Sequence, residues 1–289
     1  MASAARRDDP KLVPALIGQW ERIADQVDAS ADLAFTRPSR LPGRSVADVV
    51  GRLARSVAAL ADAAASAPPP ATAPTLSASV YLAGHLTALP AGRQPTAGGL
   101  DAPALGDPAG FAAGARSRLR ERVAAAVAAV DGADTGRLVA VTAADDGFPA
   151  AGTGGTDGGG GSDGGAGIRL GDLLLAEVLA GVVHGLDLGV EPARDALRLA
   201  VKACTGELVT RAPGRSVEVR VPPFAAVQAV EGPRHTRGTP PNVVEAGAVA
   251  FVELAAGRLS WSDATADGRV RASGARADLR PYLPLLRIA

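Results

Sequence analysis

Three histidines, His85, His184 and His235, and one cysteine, Cys204, are the side chains in this sequence best suited to hold a metal or move a proton near neutral pH. His184 has the most promising neighbours. Asp187 follows it three residues on, which puts both groups on one helix face. Glu177 precedes it by seven residues, about 10 Å along a helix axis, too far to share one ligand easily. His184 and Asp187 therefore make two adjacent donors, whereas a zinc site takes at least three protein ligands. His235 sits in a polar loop with Arg234, Arg237 and Asn242. That loop reads either as a cavity rim able to clamp an anionic head group, or as a loop stapled by its own hydrogen bonds and prolines. His85 reads as an interhelical or surface hydrogen bonder, and Cys204 as a buried, inert thiol. Asp101, Asp145 and Asp146 fall in loops and suggest no acid–base pair.

The elements that position these groups follow from periodicity and punctuation. A first helix is expected from Asp9 and Pro10, with Leu12, Leu16, Ile17, Trp20, Ile23, Ala24 and Val27 recurring at helical spacing. Phe35 to Arg44 reads as a loop broken by Pro38, Pro42 and Gly43. Ser45 opens a second helix with Asp48 as its capping-box partner, and Pro68-Pro69-Pro70 ends it. Further helices are expected over Thr75–Leu89 and Pro108–Val130, then a short strand over Arg137–Thr142. The glycine tract Thr153–Gly167 reads as a flexible loop. It lacks the following Lys-Ser or Lys-Thr of a phosphate-binding loop. Leu170–Leu188 is apolar on more than one face and should lie centrally. A helix over Glu191–Thr210 leads onward to strands at Ser216–Val221, Val249–Leu254 and Arg269–Ser273. Arg258–Trp261 reads as an extended or turn segment, and Asp278–Leu286 as a closing helix. Helices first and strands last predict an α+β chain of two domains, 1–195 and 196–289.

Composition sets the outer bounds. The chain has 289 residues, 47% of them hydrophobic but only 3% aromatic. Lys+Arg and Asp+Glu balance at 30 each, which argues against a nucleic-acid binder. No stretch of about 18 apolar residues is present, so no membrane-spanning helix is expected. A single cysteine forms no internal disulfide, and a reducing cytoplasm is the expected compartment.

Two resemblances refine this. RPSRLPGRSVADVVGRLA (37–54) and EVLAGVVHGLDL (177–188) resemble segments of the mycothiol-dependent maleylpyruvate isomerase family, whose N-terminal domain is a DinB-like four-helix bundle. The stretches 213–245 and 257–286 resemble the bacterial sterol-carrier-type domain, which implies a small α/β domain around an apolar cavity. The isomerase resemblance implies a divalent metal ligated from two helices. Carried over residue by residue, its ligands fall on His184, Ala180 and Arg52. Ala180 has no donor atom and Arg52 presents a fixed positive charge. The site therefore reads as degenerate, with Asp187 as a neighbouring carboxylate and Arg52 expected to pair with Asp187 or Glu177.

The expected function is a non-enzymatic binding or carrier protein for an apolar, lipid-like ligand, with no cofactor. Phe224, Val227, Phe251, Leu254, Trp261, Tyr282 and Leu283 are the expected pocket, although each also suits a plain core. The alternative is a mycothiol-dependent isomerase or thiol transferase using a divalent metal such as zinc. A third reading makes the second domain purely structural. Ligand identity and oligomeric state are not legible in the sequence.

Overall fold

The computed structural model describes residues 9–41, 43–77, 81, 107–141, 166–232, 242–286 and 288. Helix α1 (Leu12–Ala29) buries Leu12, Leu16, Trp20, Ile23, Ala24 and Val27 on one side. Its start is steadied by Asp9, whose carboxylate accepts from the Lys11 backbone at 3.0 Å. The expected loop over 35–44 opens inside a 3-10 turn (Asp32–Thr36) that buries Phe35 beneath the Arg116 guanidinium. Helix α2 (Val46–Ala65) begins with the capping box expected from Ser45 and Asp48. Helix α3 (Pro108–Val130) has Asp107 as its N-cap, accepting from the Gly110 backbone at 2.9 Å. Helix α4 (Leu170–Asp187) lies centrally and is buried along nearly its whole length. Gly181 and Gly185 on α4 face Gln19, Trp20 and Ile23, and this lets α1 approach closely. Gln19 is itself fully buried, donating to the Gly181 carbonyl at 3.2 Å and accepting from the Ala193 backbone at 2.8 Å.

Helix α5 (Arg194–Arg211) packs against α1 and α4 on one side and reaches the C-terminal sheet on the other. Two small sheets complete the described fold. One is three-stranded, in the order β1 (Thr75–Leu76), β3 (Ala166–Arg169), β2 (Leu138–Val141), with β1 parallel and β2 antiparallel to β3. The other has the order β5 (Ala225–Ala229), β4 (Val217–Val221), β6 (Val243–Ala246), β7 (Val270–Ser273). Its β4–β6 pair is parallel and the remaining two pairs are antiparallel. Helices α6 (Ala248–Ala255) and α7 (Trp261–Ala266) lie between β6 and β7 in the chain. The whole is an α+β arrangement, helical first and sheet-containing last.

Several expectations are corrected. Val249–Leu254 is helix α6, not a strand; the strand is the segment before it, β6. A short apolar run buried on all sides shows no period, and α6 buries even Glu253. Thr75 and Leu76, expected in a helix, form β1 instead, directly after Pro74. Ala166 and Gly167, expected in a glycine loop, belong to β3, while 153–165 lie outside the described residues. The closing helix reduces to one 3-10 turn, Arg280–Tyr282, because Pro281 and Pro284 supply no backbone N–H. Trp261, expected in an extended or turn segment, begins α7 behind its N-cap Ser260. Strand β5 has no counterpart among the expected strands.

Candidate functional site

One buried polar contact lies where α2 packs against α4. Ser56 on α2 lies 2.8 and 2.7 Å from the two Glu177 carboxylate oxygens and donates its hydroxyl between them. Glu177 is 3% exposed. Burial pushes its carboxyl up to about 7, and the Ser56 hydrogen bond only partly opposes this. Tyr81 is also buried nearby; burial raises its phenol well above the ordinary range, and the Glu177 charge adds to the effect.

Two turns further along α4 stand His184 and Asp187, both nearly inaccessible. His184 Nδ1 lies 3.5 Å from Asp187 Oδ2 and makes no hydrogen bond. Burial holds the imidazole pKa down, against the pull of Asp187, and the positive charges of Arg52 and Arg258 act in the same direction as burial. Asp187 is bound at both oxygens by one guanidinium: Arg258 Nε to Oδ1 and Nη2 to Oδ2, each at 2.9 Å. Burial works against the Asp187 charge, but the contacts from His184 and Arg258 outweigh it and keep its pKa low.

Arg258 belongs to the segment following α6, and neither its type nor its spacing singles it out in the sequence. Asp187 thus meets the Arg258 guanidinium, and Glu177 meets the Ser56 hydroxyl. Arg52 is half-buried and lies near enough to act electrostatically on His184. A second interdomain contact lies alongside. Arg40 donates to Glu253 Oε1 at 2.8 Å and to the Leu186 carbonyl at 3.2 Å, while its backbone N–H reaches the Asp187 carbonyl at 3.3 Å.

This donor set does not fit a divalent metal. Of Arg52, Ala180 and His184, only His184 offers a lone pair, and Asp187 already spends both oxygens on Arg258. Among the described residues no three His, Cys, Asp or Glu side chains come together.

The expected pocket residues divide. Phe251 and Leu254, 2% and 3% exposed, are packed into the continuous core. Val227, Trp261, Tyr282 and Leu283 lie half-buried against that core. Phe224 lines an open groove of about 420 Å³ at the β4–β5 turn, together with Pro222, Pro223 and the charged side chains of Arg220 and Glu245. The Arg194 guanidinium stands 5.7 Å over the Phe224 ring. Of the expected rim, Asn242 is buried: it donates to the Ser216 carbonyl at 2.9 Å and accepts from the Arg276 backbone at 3.0 Å, stapling two segments together. Arg234, His235 and Arg237 lie outside the described residues, as does His85. Cys204 is buried with no exposed surface.

A helical bundle with an α/β domain docked at the end of its central helix is thus the class that fold and site define. Residues 193–285 match the family model described as the bacterial SCP ortholog, so this part of the chain is similar to a sterol-carrier-type domain. The fold of the whole chain is similar to that of a mycothiol-dependent maleylpyruvate isomerase. One solved structure of that enzyme aligns over 93% of both chains at 14% identity, TM-score 0.52. A variant of it with one histidine replaced by alanine aligns over 93% of both chains at 13% identity, TM-score 0.51. At such identity the likeness is one of fold. It spans both parts of the chain, whereas the sequence motifs carry it only through the bundle. No curated protein matches this sequence. No described helix is long and apolar enough to cross a membrane.

Proposed function

We propose that this protein is a non-enzymatic binding or carrier protein for an apolar, lipid-like ligand, with the bundle as its scaffold. One observation carries the reading. The site that a metal-dependent relative would need is closed by the chain itself, through the bidentate Arg258–Asp187 contact, while the C-terminal domain matches a sterol-carrier family. A carboxylate committed to a guanidinium on both oxygens is a poor ligand for a dication, and Ala180 supplies none. The balanced charge leaves no basic surplus for nucleic acid, and the lone cysteine suits a cytoplasmic protein.

The likeness to the isomerase supports the competing reading, a thiol-dependent isomerase or transferase with a divalent metal. Native mass spectrometry and metal analysis of the full-length protein separate the two. The carrier reading expects a co-purifying lipid-sized ligand and no stoichiometric metal. One zinc per chain, lost in His184→Ala, with no bound lipid, overturns it.

A further inference from the structure

We propose that Arg258 is the resident cation of the bundle's His184–Asp187 pair, and that the same guanidinium is the clasp holding the C-terminal domain on the bundle. This shares the Arg258–Asp187 contact with the carrier reading, but its test reads cobalt and amide exchange rather than lipid, so the two can fail separately.

Geometry carries the proposal. Arg258 is only 12% exposed in its side chain and Asp187 2%. Two such groups meet away from water only when each compensates the other, and the planar guanidinium matches the carboxylate at two parallel 2.9 Å contacts. The partners are 71 residues apart and lie on opposite sides of the domain junction. Arg40 and Glu253 repeat the contact with the signs exchanged: the bundle supplies the base and α6 the acid. Glu253 is 5% exposed in its side chain and also faces Arg269 at 3.6 Å. Arg40 further ties Leu186 and Asp187 by their carbonyls, so the α4 C-terminus, the negative end of the helix dipole, is covered by cationic groups from both sides. Two reciprocal ion pairs around one helix end fix the orientation of the second domain more tightly than apolar contact alone, because each guanidinium fork accepts only one approach. The ligand set that does not fit a metal is thus filled by the chain's own charge.

The test uses full-length wild type, Arg258→Met, Arg258→Lys and the double variant Arg258→Met with Asp187→Asn. Cobalt(II) is titrated by absorbance, and hydrogen exchange is followed at the amides of 186–188. Expected is no cobalt binding by wild type within the titrated range, a weak binding that appears in Arg258→Met with His184 and Asp187 as its two protein donors and water completing the shell, and loss of that binding in the double variant. Arg258→Lys keeps the charge without the fork, so it should still exclude cobalt while amide exchange at 186–188 speeds up at least threefold. A folded Arg258→Met with wild-type cobalt behaviour overturns the resident-cation claim. If Arg258→Met does not fold, Arg258→Lys decides: unchanged exchange at 186–188 overturns the clasp.

Discussion

Glu177→Gln should stabilise the protein at alkaline pH and leave it nearly unchanged at acidic pH. In the folded chain burial raises the Glu177 carboxyl from 4.5 to about 7. The sign follows from proton counting. Between those two values the folded state keeps a proton that the unfolded chain has released, so stability falls as pH rises through this window. Below 4.5 both states are protonated and the group contributes no pH dependence. Above about 7 the full penalty is present, about 3 kcal/mol at 1.36 kcal/mol per pKa unit. The substituted amide carries no charge at any pH, and its oxygen still accepts from Ser56. The other titratable group acting at this position is Tyr81, which stays neutral throughout, and His184 stands two turns further along the helix. The variant minus wild-type difference should therefore be near zero at about pH 4 and rise by about 3 kcal/mol at about pH 8.5. In thermal scans that is about 6–12 °C, taking about 2–4 °C per kcal/mol for a chain of this size. Urea unfolding of both proteins across this pH range is the assay. A difference that stays flat with pH refutes the argument that burial keeps this carboxyl protonated.

Four further outcomes are expected. Asp187→Ala strands the Arg258 guanidinium in a nearly dry site and should cost about 3–5 kcal/mol in chemical denaturation. Trp20→Phe should cost less than about 1.5 kcal/mol by the same measurement, since the indole N–H is buried with no hydrogen-bond partner and its removal offsets part of the lost area. Ser45→Ala removes the acceptor for the Asp48 backbone N–H and should cost about 0.5–2 kcal/mol, read as a lower thermal midpoint. Gly214→Ala should destabilise by at least about 1 kcal/mol in urea unfolding, because Gly214 holds φ 147° and an added Cβ would run into the Val230 carbonyl.

The helices of the bundle are legible in the sequence because their signals are local. Ser45 with Asp48, Pro108, and the predominantly apolar stretch after Arg169 each sit within one turn of the boundary they mark. The β1–β3–β2 sheet is not, since a strand of two residues and another that includes Gly167 carry no alternation to detect. Helix α6 reads as a strand because the core surrounds it on all sides and hides its period. At the candidate site, His184 and Asp187 stand out by their spacing. Arg258 does not, because no local pattern joins an arginine after a glycine turn to an aspartate 71 residues earlier.

Helix α5 has two owners. Ala196, Leu199, Ala200 and Cys204 are all fully buried, and the helix touches α1 and α4 as well as β5 and α6. A gene fragment ending before Arg194 would leave the bundle with an open seam where that helix had lain, and a fragment beginning there would expose a greasy stripe to water. Neither half is a free-standing module in the way a linker-joined pair would be, and anyone cutting this gene in two should carry the helix on both pieces.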